Sequence, residues 1–286
     1  IDISTFNIDP AALAATIIAL KEGDIKNSAL PKWPVEKLRG LTPKGVITVD
    51  LFGLPADHER INTIAAEHGL FVLEDAAQGF GGEVNGRRAG TLAEVGCTSF
   101  FPAKPLGCYG DGGALFTDDD DLAELFRSIR VHGQGSDRYE NVRVGITGRL
   151  DALQAAILIP KLGIFPDELS ERQRVAATYE KLISSSAVDV VTPQVPDGYY
   201  SAWAQYSVLA TDQAARQVIL DRLKLVGVPT MIYYKKPLHL QKAFASLGYQ
   251  VGDFPVSEQA SDRIFSLPMH PYLDNETIAM IVEAMA

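Results

Sequence analysis

Apolar residues recur along this chain at two periods, one helical and one extended, and the periods alternate. Pro10 opens a stretch in which Leu13, Ile17 and Leu20 share a helix face, and Gly23 after Glu22 closes it; a polar loop follows. The β-branched run Gly45 to Gly53 reads as a buried strand. Asp57 then starts a helix through Ile61, Ile64 and Ala65 that stops at Gly69, and the apolar run from Gly69 ends in Glu74 and Asp75. Strand, helix and strand at that length predict a βαβ unit with parallel strands, and in such sheets ligands sit beyond the strands' C-terminal ends, where Asp75 falls. Glu83 to Arg88 holds an Asn-Gly hairpin turn. Val95 to Phe101 reads as another buried strand, and Gly110 to Thr117 as a tight turn leading into a strand.

Beyond these, the acids Asp118 to Asp121 start an amphipathic helix that continues from Leu122 to Ile129. Two helices are expected from Leu150 to Leu162 and from about Asp167 to Ile183. A strand that alternates over Ala204 to Ala210 follows, then a helix ending at Gly227. The expected organisation is an α/β part over residues 1–150, with a mainly parallel sheet flanked by helices, and a smaller α+β part over residues 151–286 reached through the long helices.

One lysine, Lys104, stands between the apolar run at Val95 and the glycine cluster at Gly110. At the mouth of a strand a lysine is partly desolvated, which favours its neutral amine and with it attack on a carbonyl. Upstream lie Asp75 and Gln78, and Ser99 lies at the end of the lysine's own strand. Taken singly each has an ordinary structural role: a cap, a loop residue, a half-buried hydroxyl. In the order strand, acid, small-residue loop, strand, lysine they are the layout of a pyridoxal 5'-phosphate site. Asp75 would keep the pyridine nitrogen protonated, Gln78 would reach the ring hydroxyl, Ser99 would meet the phosphate, and Lys104 would bond the cofactor.

Four segments, VLEDAAQ from Val72, SFFPAKPLGCYGDGG from Ser99, RLDALQAAIL from Arg149 and SLPMHPYL from Ser266, together resemble the DegT/DnrJ/EryC1/StrS family of aminotransferases acting on nucleotide-linked keto sugars. The resemblance covers nearly the whole chain. It implies the type I aminotransferase fold, pyridoxal phosphate, an amino-acid donor such as glutamate, and a homodimer with shared sites. Within the family the lysine segment is most similar to transaminases of UDP-2-acetamido-2-deoxy-hexuluronate, a 3-keto sugar, in O-antigen biosynthesis. Family members carry roughly another hundred residues before the equivalent of Ile1, so the N-terminal part of the family fold is expected to be absent here.

The loop His132 to Asp151 matches the family's subunit-crossing loop, whose G-x-N-x-R pattern reads Gly145, Ile146, Thr147, Gly148, Arg149. Thr147 thus stands for the asparagine that holds the partner's phosphate, and Arg149 is a candidate for a phosphate or sugar carboxylate. Near the expected substrate region Tyr234 matches the family, whereas Tyr233 and Lys235 replace a histidine and a proline. His239 and His270 are further pocket candidates. The resemblance leaves two alternatives: a dehydratase on the same scaffold, in whose known examples a histidine replaces the lysine, and a non-catalytic structural or regulatory homologue.

Composition narrows the remaining classes. With 286 residues, 47% of them hydrophobic, the chain can bury a sizeable core. A net charge of -10 and a pI near 5.0 argue against a nucleic-acid partner. No apolar run approaches the roughly 20 residues of a membrane span. Cys97 and Cys108 form neither a disulfide framework nor, with the five histidines, a metal set, and a cytoplasmic protein without metal is expected.

Overall fold

The computed structural model describes residues 1–23 and 29–286; part of the polar loop expected after Gly23 lies outside the described residues. Helix α1, Pro10–Glu22, starts where Asp9 accepts the N–H groups of Ala11 and Ala12 and ends at Gly23, whose φ of 72° only glycine adopts without strain. After the short α2, Val35–Arg39, come β1, Gly45–Val49, a 3-10 turn at Leu51–Gly53, α3, His58–His68, and β2, Phe71–Asp75. Asp57 caps α3 through the Arg60 N–H. β1 and β2 pair in parallel, as the βαβ pattern requires.

The run from Gly45 is shorter and less buried than expected. It leaves the strand at Val49, and Ile47 and Val49 remain 66% and 42% exposed, because α3 covers one face only, packing Ile61 and Ala65 on Val46 and Val72. The hairpin β3, Glu83–Val84, and β4, Arg87–Arg88, precedes β5, Val95–Ser99, and β6, Gly113–Phe116. The main sheet runs β1-β2-β5-β6, with β6 antiparallel to β5 and the other pairs parallel. Helix α4, Asp120–Ile129, begins at the acidic run, where Asp119 accepts the Leu122 N–H.

The two helices expected after residue 150 are one. Helix α5, Ala152–Ser184, runs for 33 residues through Pro160 and Pro166. An internal proline costs about 3 kcal/mol. Packing at both ends offsets that cost: Leu158, Phe165 and Leu169 lie against Leu106 and Cys108 of the lysine segment, and Val175, Tyr179 and Ile183 enter the C-terminal core. The boundary expected at residue 150 therefore falls just ahead of a helix shared by both halves.

The rest of the chain is β7, Val190–Val191, β8, Tyr199–Tyr200, β9, Tyr206–Ala210, α6, Gln213–Leu225, α7, Pro255–Arg263, β10, Ile264–Leu267, and α8, Asn275–Met285. β10, β9 and β7 form an antiparallel sheet, and β8 extends the β3–β4 hairpin. β9 does not alternate: all five residues are buried, Tyr206 and Val208 beside Phe265 and Leu209 beside Phe6 and Ile264.

Candidate active site

The parallel register sets Asp75 opposite Cys97, so Asp75 and Ser99 stand on adjacent strands at the same C-terminal edge of the sheet. Asp75 is half-buried; its Oδ1 accepts the Ala77 N–H at 3.0 Å, and Oδ2 has no partner among the described residues. Gln78, buried, accepts the Phe52 N–H on Oε1 at 2.6 Å, which leaves its amide NH₂ to donate elsewhere. Ser99 Oγ accepts the Phe101 N–H at 3.2 Å, and its own proton is free to donate.

Lys104 lies in the turn that follows β5, half-buried, with its backbone N–H bonded to Phe101 and no side-chain partner among the described residues. The loop is closed on itself and tied to α5. Phe100 exchanges backbone bonds with Cys108 and Gly112, Gln154 accepts the Tyr109 N–H at 2.8 Å, and Lys161 donates to the Gly107 carbonyl. Sequence reasoning missed both α5 residues; their spacing of seven, two helical turns, was the available signal.

The other expected residues fall into three separate places. Thr147 and Arg149 are exposed and meet at His132: Arg149 donates to Nε2 at 3.3 Å, so Nδ1 carries the ring proton and faces Thr147 Oγ1 at 3.5 Å. Tyr234 and His239 line an apolar recess of about 680 Å³ with Phe6, Phe52 and Tyr249. That recess adjoins Gln78 through Phe52. His239 is committed within it, bonded to Glu258 at 3.0 Å and packed on Phe254. His270 does not join them; it sits exposed beyond β10, where partial desolvation of its ring and the Arg172 charge hold its pKa below the ordinary value.

The whole chain, residues 1–286, matches the model of the DegT/DnrJ/EryC1/StrS aminotransferase family. The chain belongs to that family. A UDP-2-acetamido-2-deoxy-3-oxo-D-glucuronate aminotransferase of Pseudomonas aeruginosa is 44% identical over 287 residues, 100% of this chain and 71% of that protein. A protein of Geobacillus stearothermophilus described as a pleiotropic regulatory protein is 43% identical, over 100% of this chain and 70% of its own. The crystal structure of a DegT/DnrJ/EryC1/StrS aminotransferase from Brucella abortus superposes with a TM-score of 0.88 at 44% identity, covering 100% of this chain and 71% of that one. Among the described residues no helix is long and apolar enough to cross a membrane.

Behind this edge of the aminotransferase sheet is a polar cluster that the sequence did not announce. Asp50, His58 and Glu74 are buried to 0%, 3% and 0% exposure. His58 Nε2 donates to Asp50 Oδ1 at 3.0 Å and lies 4.0 Å from Glu74 Oε1, while Glu74 accepts the N–H groups of Gly90 and Leu92 at 2.6 and 2.8 Å. Gly79 packs over the cluster, where an added Cβ would come within 2.5 Å of Asp50 Cβ.

Burial, with Asp50 adding to it, lifts the Glu74 carboxyl from 4.5 to about 7. Between those values the folded protein binds a proton that the unfolded chain has lost. Stability therefore falls as pH rises from 4.5 to 7, by roughly 3 kcal/mol from this group. Glu74→Gln should flatten that part of the stability profile in urea titrations at stepped pH; an unchanged slope would remove Glu74 as its source.

Proposed function

We propose that this chain is a pyridoxal-phosphate-dependent transaminase that moves an amino group from an amino acid, glutamate in the first instance, to a nucleotide-linked 3-keto sugar. A UDP-linked hexuluronic acid is the substrate of choice, and the product an aminosugar for surface polysaccharide such as O-antigen. The observation that supports the reading is that Asp75 and Ser99 stand at the same edge of adjacent parallel strands, with Gln78 and Lys104 in the turns that follow those two strands. The donor set fits the cofactor: one carboxylate oxygen, one amide NH₂, one hydroxyl and one amine are all left without other partners there.

When bound, the cofactor supplies an electron sink for a carbanion. Asp75 Oδ2 would hold the ring nitrogen's proton, the Gln78 amide would donate to the ring oxygen, and the Ser99 hydroxyl to the phosphate. Lys104 would anchor the group and, once displaced by substrate, carry the proton to and from the substrate carbon. Borohydride reduction of the loaded protein and peptide mapping should place the label on Lys104; a label on Lys161 or Lys224 would sink the assignment. The Geobacillus relative's description favours a second, non-catalytic reading, and for that reading no label would form on any lysine.

The same proposal includes a cytoplasmic homodimer. Two free cysteines, of which Cys97 is pushed up to about 11 by burial and the neighbouring carboxylates, suit a reducing compartment. Thr147 and Arg149, exposed around His132, would reach the partner's site. Mixing Lys104→Ala chains with Arg149→Ala chains should then restore part of the activity, since some mixed dimers regain one intact site. No recovery after proven subunit exchange would mean self-contained sites.

A further inference from the structure

The chemistry proposed above leaves the Asp50–His58–Glu74 cluster unused, yet the cluster is built into the strand end that presents Asp75. Successive residues of a strand point to opposite faces, so Glu74 is fixed from behind while Asp75 faces the other side. The Asp50 N–H donates to the Asp75 carbonyl at 3.0 Å, and Asp50 Oδ1 also accepts the Ala56 N–H, closing the turn whose Phe52 N–H is held by Gln78. The turn that the cluster closes therefore holds the backbone of Asp75 and the side chain of Gln78.

Its charges are poorly answered. Asp50 Oδ2 and His58 Nδ1 are buried with no hydrogen-bond partner, so a second ring proton on Nδ1 would be an orphan donor. Two buried carboxylates then share one site, where the backbone N–H groups of Ala56, Gly90 and Leu92 and one ring N–H are their only donors among the described residues. A cation placed against Asp75 would meet this charge from the open side.

We propose that Asp50 and Glu74 form a buried counter-charge behind Asp75, and that loading of the cationic cofactor ring onto Asp75 drives a proton from Glu74 into solvent. It rests on the reading that Asp75 holds the ring. A positive charge bound there favours the ionised form of Glu74, and by linkage the ionised Glu74 tightens binding by the same factor. The coupling expected for charges several ångströms apart at a partly shielded site is about tenfold. The other titratable groups that feel the cluster are Cys97 on β5, which also feels Asp75, and Tyr199 on β8, which also feels Asp57 and Glu59 at the head of α3. Cys97 and Tyr199 are both pushed upward by burial, away from neutrality. Glu74, lifted to about 7, is placed to give up a proton at working pH.

Calorimetric titration of the full protein with pyridoxamine 5'-phosphate, whose amine cannot condense with Lys104, tests this in paired buffers of different ionisation enthalpy. At pH 6.5 the wild type should release about half a proton more than Glu74→Gln, with the difference gone by pH 9. The wild-type affinity relative to that variant should rise about threefold over the same interval, the rest of the tenfold coupling lying below pH 6.5. Asp50→Asn should move the release to lower pH. Equal release by wild type and Glu74→Gln overturns the proposal. Should the variants not fold, infrared difference spectra of the wild type at pH 6.5 must show a protonated carboxyl lost on loading, and its absence also overturns it. A wild type that binds no cofactor overturns the reading of Asp75 itself, whereas binding without proton release removes only the counter-charge.

Discussion

Lys104→Ala should lower transamination by on the order of 10⁴-fold or more while leaving the melting curve nearly where it was. The activity loss follows from removing anchor and base together, since a positioned base alone contributes about 10² to 10⁴. The stability forecast follows from the surroundings: Lys104 is half-buried, and its side chain makes no hydrogen bond or ion pair among the described residues. Substitutions at such positions usually change stability by less than about 0.5 kcal/mol. Single-turnover amination of a nucleotide keto sugar, paired with a thermal melt, reads both quantities. Activity within tenfold of the wild type would end the assignment. A large fall in melting temperature would instead mean that the loop needs the lysine for its own packing.

The second large effect is structural. Phe265→Ala should destabilise the protein by roughly 3 to 5 kcal/mol, a sizeable part of the 5 to 15 kcal/mol that ordinarily holds a domain folded. Phe265 is fully buried in β10, within the same core as Tyr179, Tyr206 and Ile278. Removing its ring leaves a hole between strands and helices that are anchored at several other points, so little collapse can fill it. Urea unfolding measures the loss; a value under about 1 kcal/mol would show that the C-terminal core relaxes around the cavity.

Local chemistry was legible in the sequence, and long-range geometry was not. Asp57 and Gly69 bracket α3 because a side-chain cap and a left-handed glycine act over three or four residues. The common edge of Asp75 and Ser99 was legible because parallel pairing carries consecutive strand ends to one side of the sheet. Pro160 and Pro166 misled because each removes a local bond, while the contacts that keep α5 whole come from residues 50 positions upstream, such as Leu106 and Cys108. Asp50 and His58 were silent for a similar reason. Eight residues apart across a turn, they meet Glu74 only when β1 and β2 pair. His270 was weighed beside Tyr234 and His239 from the sequence alone, and the structure sets it outside the recess that those two line.

The uninterrupted α5 also works as a lever. At about 1.5 Å per residue it is roughly 50 Å long, so a tilt of only 2° about one end moves the other by nearly 2 Å. One end bears on the loop of Lys104 through Gln154 and Lys161, and the other is gripped by the core around Tyr179. Two separate helices would have let a hinge absorb such a tilt. A rod transmits it, so repacking around Tyr179 is felt as misalignment at an amine that none of those residues touches, and a displacement of that size is costly to a reacting group.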